Sequence, residues 1–233
     1  PIPRRQRQMC IRDSCYCAVM VWDLPIRIFH WLLVLSICGS FITIQNDWML
    51  AHEKCGLTIL GLLAFRLIWG VIGYPTARFA QFVKGPRAIF AYLHQLIGRE
   101  KVYSFGHNPI GALSVIVLLS VILLQALSGT LSTDDIIYDG PLYNVFPMLT
   151  KFAGSLHQFL PPLILSLIAL HLIAIVCHRI FFKEKLVSQM ITGKAQEGNL
   201  LLENKTQHKP ASLSGLAVMV ACVLASWSLT LLS

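Results

Sequence analysis

The stretch SLHQFLPPLILSLIALHLIAIVCHR, residues 155–179, decides the fold class. It carries no Asp, Glu, Lys or Arg before Arg179, so it is long and apolar enough to cross the roughly 30 Å hydrocarbon core of a bilayer. His157 and His171 lie 14 residues apart within it, close to four helical turns, which places both rings on one side of a helix about 21 Å apart. A histidine in a membrane helix is costly unless it is paired or bound. Both rings are therefore candidate cofactor ligands, and the alternative is that they hydrogen-bond to neighbouring helices.

The composition is typical of a membrane protein, with 55% hydrophobic and only 13% charged residues. The seven cysteines include no C-x-x-C pair, which argues against a four-thiolate metal site and against covalently attached c-type haem. No nucleic-acid partner is predicted. Residues 4–14, RRQRQMCIRDS, read as a translated sequencing-library adaptor, so residues 1–19 are interpreted as non-native and a natural start is placed at Met20. The alternative is a genuine basic arm that binds anionic lipid.

Five apolar runs divide the rest of the chain, each with about the 17 to 25 residues that a spanning helix needs. They cover residues 26–44, 57–74, 110–131, 155–179 and 211–232. The predicted fold is an all-α membrane protein. It consists of a four-helix transmembrane bundle in residues 20–193, a cytoplasmic linker in residues 194–210 and a fifth C-terminal transmembrane helix in residues 211–233.

The basic residues predict the orientation, because the cytoplasmic loops of membrane proteins are enriched in lysine and arginine. The loops on the other side carry only Lys54 and Lys151 as basic residues. The chain is therefore predicted to lie in the bacterial inner membrane, with its N-terminus in the cytoplasm and its C-terminus in the periplasm. The basic residues of the two cytoplasmic loops are Arg78, Lys84, Arg87, Arg99, Lys101, Lys183, Lys185, Lys194, Lys205 and Lys209.

This topology places four histidines in two pairs. His30 and His171 lie at the cytoplasmic level, whereas His52 and His157 lie at the outer level. Two separated imidazole pairs suit two b-type haems with bis-histidine ligation better than zinc, which usually takes four ligands that converge on one point. Glycines in the spans would let a flat macrocycle approach a helix backbone, or would let helices pack closely. The candidates are Gly39, Gly56, Gly61 and Gly129.

Three further side chains are candidate haem-binding residues. Arg66 lies 14 residues after His52, about one haem level deeper, where a buried guanidinium needs an anion such as a haem propionate. The alternative is that Arg66 snorkels toward the inner headgroups. Arg27, three residues before His30, is a candidate for the same haem. His107, in a Gly-His-Asn-Pro turn before the third span, is predicted either to lie near a propionate or a quinone headgroup or to cap a helix.

Several motifs resemble those of the bacterial cytochrome b561 family, which includes the b-type cytochrome subunits of membrane-bound hydrogenases. The resemblance covers about residues 21–193. It implies a four-helix protein with two haem b groups, ligated by His30 with His171 and by His52 with His157, which passes electrons between membrane quinones and a partner. The fifth span lies beyond that pattern. The motifs are WDLPIRIFHW at 22–31, HEKCG at 52–56, FR at 65–66, WG at 69–70, GHNP at 106–109 and the spacing of the two histidines in the fourth span.

The predicted function is therefore electron transfer through two b-type haems, between the quinone pool and a periplasmic redox partner such as a c-type cytochrome. No catalytic side chain is predicted, so the chain is interpreted as an electron carrier or an oxidoreductase subunit. Two alternatives are open: a cytochrome b anchor subunit of a hydrogenase or related dehydrogenase, and a non-redox transport or assembly subunit. Acidic residues near the outer loops would attract a basic partner. They are Asp47, Glu53, Asp134, Asp135 and Asp139.

Overall fold

The structure is a computed structural model that describes residues 21–98, 108–133, 138–194 and 212–231. The predictions for residues 1–19, His107, Asp134, Asp135 and most of the linker fall outside these ranges. The described chain is helical. Its α-helices are α1 (Leu24–Gln45), α2 (Met49–Ile72), α3 (Phe79–Phe82), α4 (Pro86–Ile97), α5 (Pro109–Thr130), α6 (Thr150–Cys177), α7 (Leu186–Thr192) and α8 (Ser212–Trp227), with short 3₁₀ turns at Pro75–Ala77, Pro147–Leu149 and Ser228–Leu231 and a π-helical turn at His178–Phe182.

Five helical segments are long and apolar enough to cross a membrane, and they contain α1, α2, α5, α6 and α8. The all-α fold with five spans is confirmed, and the chain is a multi-pass membrane protein. Two predicted boundaries are wrong. The second span begins at Met49 rather than residue 57, and the fourth begins at Thr150 rather than residue 155. Polar residues near these ends interrupt the apolar run but are compatible with the helix, so His52 lies inside α2 rather than before it.

Helix α2 is the central element of the described structure, because it packs against α1, α5 and α8. Its side chains Leu62, Leu63 and Phe65 are almost completely buried. Helix α1 precedes it across a turn of residues 46–48, which is short enough to make the two helices antiparallel neighbours. Helices α5 and α6 form a second packed pair. The four candidate ligand histidines lie on three of these helices: His30 on α1, His52 on α2, and His157 and His171 on α6.

The fifth span packs directly on α2, and one glycine makes the contact possible. A Cβ added at Gly61 would lie 2.6 Å from the Cα of Val223 and 2.6 Å from the Oγ of Ser226. The Ser226 hydroxyl donates to the Leu57 carbonyl across the same contact, at 2.7 Å. Of the two roles predicted for Gly61, the structure supports close helix packing rather than the approach of a macrocycle. This glycine accommodates α8, as small residues commonly do between membrane helices.

Replacing Gly61 by alanine should destabilise the protein, because the new methyl group would be forced against the backbone of α8. We expect a loss of about 1–3 kcal/mol, as in other overpacked cores, seen as a lower unfolding temperature in detergent. Gly85→Ala is the control, since no described heavy atom lies within 4 Å of a Cβ added at that glycine and it does not line the cavity beside His52 and His157. An equal loss in both variants would show that the α2–α8 contact is not the cause.

Candidate functional site

The outer histidines, His52 on α2 and His157 on α6, lie next to each other in the structure. Their ring centroids are 6.2 Å apart and the ring planes are inclined by 85°. Two imidazoles that bind one metal ion from opposite sides have centroids about 6 Å apart, because each metal–nitrogen bond is about 2 Å and each ring centre lies about 1 Å beyond its nitrogen. The separation of the two rings is therefore the one that a shared metal requires.

Each outer histidine is oriented by a main-chain carbonyl on a neighbouring helix. The Nδ1 of His52 donates to the Ser40 carbonyl of α1 at 2.9 Å, and the Nδ1 of His157 donates to the Gln125 carbonyl of α5 at 3.0 Å. With the proton on Nδ1, the lone pair of each ring is on Nε2, the nitrogen left to bind a metal. Such a second hydrogen bond is the usual way in which a ligating histidine is oriented.

A glycine on α5 provides the space for the His157 ring. A Cβ at Gly129 would lie 2.8 Å from Cε1 and 3.1 Å from Nδ1 of that ring. Gly129 follows Gln125 by one helical turn, so the missing side chain exposes the carbonyl that His157 uses. Of the remaining candidate glycines, Gly39 faces the Cys55 sulfur, so it does not adjoin open space. Gly56 has no described heavy atom within 4 Å of an added Cβ.

A cavity of about 390 Å³ surrounds the outer pair. It is lined by residues of α1, α2, α5 and α6, including both histidines and Gly56. The surface of the cavity is mostly apolar, although polar side chains also line it, and its volume lies in the range of about 300–1,000 Å³ that is usual for ligand sites. Glu53 and Tyr138 also line it. Burial raises the pKa of the Tyr138 phenol, and the negative charges of Glu53 and Asp139 act in the same direction, so the phenol remains a hydrogen-bond donor.

The inner histidines, His30 on α1 and His171 on α6, are also brought together. They are near enough to interact electrostatically, and both side chains are partly buried. The Nδ1 of His30 is buried without a hydrogen-bond partner among the described residues. A buried ring nitrogen without a partner is costly in an apolar medium, and a bound group would offset that cost. His157 and His171 belong to the same helix, α6, so the two pairs form two levels about 21 Å apart.

Arg66 is enclosed in a cluster that connects α2 with the segment after it. Its guanidinium lies 4.5 Å from the ring centre of Phe79 and 5.8 Å from that of Phe82. The side chain is only 4% exposed, which differs from the exposed cation that snorkelling implies. Its Nη1 is buried without a partner among the described residues. The guanidinium is therefore shielded from water and has an unused donor.

Asp23 is a buried carboxylate whose negative charge acts on Arg66. It was not predicted from the sequence as a functional residue. It is 1% exposed, and its Oδ2 accepts from the Trp69 indole at 2.8 Å. Burial raises the pKa of Asp23, while the Trp69 hydrogen bond and the positive charge of Arg66 lower it. Asp23 is the residue immediately before α1, and the backbone N–H of Ile26 in the first turn of that helix also lowers its pKa. Its bond to Trp69 connects the start of the first span to the second span.

Arg27, the other candidate cation, reaches the short helix after the fourth span. Its Nη1 donates to the Thr192 carbonyl at 2.8 Å, and a Cβ at Gly193 would lie 2.6 Å from the same nitrogen. The Arg27 Nε is buried without a partner among the described residues. The guanidinium therefore caps the end of α7 and keeps one donor free. His178, which follows His171 by seven residues, pairs with Glu184 at 2.9 Å, away from both histidine pairs.

Gln125 was not predicted from the sequence as a functional residue, although it is the one amide side chain within the third predicted span. A single polar residue in an otherwise apolar helix is a signal for a buried hydrogen bond, but nothing in the sequence indicates its partner. Asp23 carried a similar signal, since it is an acid immediately before a proline-led span. Both partners are on other helices, so only the packing of the helices identifies them.

The five spans define the class: a multi-pass membrane protein, in which four histidines lie as two pairs on different helices. The chain belongs to the prokaryotic cytochrome b561 family, which matches residues 21–193 and confirms the resemblance found in the sequence. The family binds haem b and transfers electrons in the membrane. Helix α8 lies outside the matched region. No curated protein and no solved structure matches the chain.

Replacing Trp69 by phenylalanine should destabilise the protein, because Asp23 Oδ2 would lose its hydrogen bond while remaining buried. An unsatisfied buried group costs about 1–3 kcal/mol, measurable as a lower unfolding temperature in detergent. The control is Trp227→Phe, which removes an indole bond of 3.0 Å to Thr58 at an exposed position. That change should cost no more than about 0.5 kcal/mol. Equal effects of the two changes would contradict the importance assigned to Asp23.

Proposed function

We propose that the protein relays electrons across the bacterial inner membrane through two haem b groups, between the quinone pool and a periplasmic redox protein. The observation that carries this proposal is the pair His52 and His157, whose centroids lie 6.2 Å apart beside an apolar cavity of about 390 Å³. The family match supports haem as the bound group. The histidine assignments and the number of haems are part of the proposal.

The residues around the outer cavity have three tasks in this mechanism. His52 and His157 would bind the iron through Nε2, while the carbonyls of Ser40 and Gln125 keep the proton on Nδ1. Gly56 leaves the wall of α2 open toward the cavity, and aliphatic side chains exclude water. Haem bound here would supply one-electron exchange at its iron. The protein contributes ligation, orientation and a low dielectric, and no side chain has to move a proton for the electron to pass.

The inner site would use His30 and His171 as ligands, with Arg66 and Arg27 as candidate partners of the propionates. Support comes from the unused donors: Arg66 Nη1 and Arg27 Nε are both buried without partners among the described residues. Unpaired donors on buried cations are strongly stabilised by an anion. His107 is proposed as a further residue near this site or near a quinone headgroup.

The charge distribution supports the direction and the class of partner. The basic residues after the second and fourth spans favour a cytoplasmic location for those loops, which would put the cavity around His52 at the periplasmic end. Glu53 lines that cavity, and Asp139 is exposed close to it. An acidic rim would attract a basic protein such as a c-type cytochrome. Quinone is apolar and would exchange electrons from the bilayer.

Removing one outer histidine should remove one haem and leave the other. His52→Ala and His157→Ala should each lower the haem content from two to one per chain, because an iron with a single imidazole is held weakly in a site built for two. A pyridine haemochrome assay on purified protein measures the ratio. His178→Ala is the control and should retain both haems. A parent protein with one haem per chain would contradict the two-site proposal, and a parent with none would contradict haem binding altogether.

Neutralising the acidic rim should slow electron transfer to a basic cytochrome. The triple change of Asp134, Asp135 and Asp139 to asparagine should lower the rate roughly tenfold at low ionic strength, with a weaker dependence on salt. Stopped-flow reduction of a basic c-type cytochrome measures this. Lys151→Gln is the control of opposite sign: this lysine is exposed, and removing its charge should accelerate transfer. An unchanged rate in both variants would remove this surface as the docking site.

A further inference from the structure

Helix α6 contains two consecutive prolines, Pro161 and Pro162. Proline has no backbone N–H, so it cannot donate to the carbonyl four residues earlier. Pro161 therefore leaves the carbonyl of His157 without its helical partner, and Pro162 does the same for Gln158. An unsatisfied carbonyl in the membrane interior is strongly destabilising. A donor from outside the helix is needed at His157, the residue that we place on the outer haem.

Gln125 provides that donor. Its side-chain Nε2 lies 3.1 Å from the His157 carbonyl oxygen, while its own main-chain carbonyl accepts from His157 Nδ1 at 3.0 Å. The two residues thus exchange hydrogen bonds in both directions between α5 and α6. The orientation of the amide follows from the chemistry, since its oxygen would repel the carbonyl. The Gln125 Oε1 is buried without a partner among the described residues.

The same amide nitrogen also lies 3.3 Å from His157 Nε2, the nitrogen that would bind iron. A donor at this position favours the ring form with its proton on Nδ1, because Nε2 then accepts. The Gln125 amide nitrogen therefore has two acceptors nearby, the Nε2 and the main-chain carbonyl of His157. If a metal took the lone pair of Nε2, the carbonyl would still accept from the amide. Gln125 is therefore built to hold His157 in the ligand form both before and after cofactor insertion.

We propose that Gln125 is the positioning residue of the outer haem ligand, and that it acts on the carbonyl which Pro161 leaves free. The inference rests on the proposed role of His157 as an axial ligand. Gln125 does not touch the iron; it fixes the ring and the backbone of the residue that does. Residues that orient a ligating histidine without binding the metal themselves typically lower metal affinity about 10–100-fold when they are removed.

A double-mutant cycle tests the proposal on the full-length protein with its haems. Gln125→Met keeps the size of the side chain and removes the amide. It should raise the rate of haem loss from the outer site about 10–100-fold, and it should shift the reduction potential and the low-spin electron paramagnetic resonance signal of that haem alone. Pro161→Ala restores the backbone N–H that can donate to the His157 carbonyl. In that background the effect of Gln125→Met should be smaller by several-fold.

Pro162→Ala is the matched control, because the N–H it restores points to Gln158 rather than to His157. In that background Gln125→Met should have its full effect. The proposal is overturned if Gln125→Met leaves the outer haem unchanged, or if its effect is the same with Pro161→Ala as with Pro162→Ala. A general loss of packing would move both haems in both backgrounds, which also overturns it.

Failure of the proposed function would look different. A parent protein without an outer haem refutes the role of His157 as a ligand, whatever Gln125 does. The unfolding temperatures of the three single variants and the two double variants, measured in detergent, then report on the hydrogen bond to the His157 carbonyl by itself. Coupling between positions 125 and 161, absent between 125 and 162, would support the contact without the haem. No coupling in either pair would refute the contact as well.

Discussion

The constraint on which this structure depends is that polar groups inside a bilayer must find partners within the protein. Its four central histidines are polar rings in apolar helices, and the arrangement of α1, α2, α5 and α6 follows from giving them neighbours. At the outer level the partners are main-chain carbonyls of Ser40 and Gln125. They accept one ring proton each, which leaves the lone pair of each ring on Nε2; in His157 this nitrogen lies 3.3 Å from the Gln125 amide nitrogen. The hydrogen bonds that satisfy the ring protons therefore also fix which nitrogen of each ring carries the lone pair.

The two histidine levels differ in their surroundings. The outer level has neutral hydrogen bonds and a cavity whose surface is mostly apolar. Arg66, proposed as a partner of the inner site, is charged and buried against Phe79 and Phe82, in the electrostatic field of Asp23. Axial ligands of the same kind in unlike surroundings give haems of different potential, because hydrogen bonding and burial tune the iron. This difference provides a physical basis for an electron relay with distinct steps.

The fifth span adds a helix to the family pattern without adding a histidine. Its contact with α2 is specific, since Gly61 admits the backbone of α8 and Ser226 bonds to the Leu57 carbonyl. Met219 of α8 is also buried in the apolar core. Helix α8 thus covers a face of the helix that carries His52. A central helix that is packed on several sides holds its side chains more rigidly than one that faces lipid, which favours a fixed ligand geometry.

The sequence by itself determined the membrane class, the number of spans and the family, because apolar runs of spanning length and short motifs are local features. It also predicted that His30 would lie near His171 and His52 near His157, since topology and helical rise set their depths. Only the tertiary structure decided what lies beside them. The role of Gly61, the burial of Asp23 and the bonds of Gln125 depend on which helix faces pack together. Helix faces in apolar spans are hard to distinguish by sequence, because lipid and protein neighbours are equally apolar.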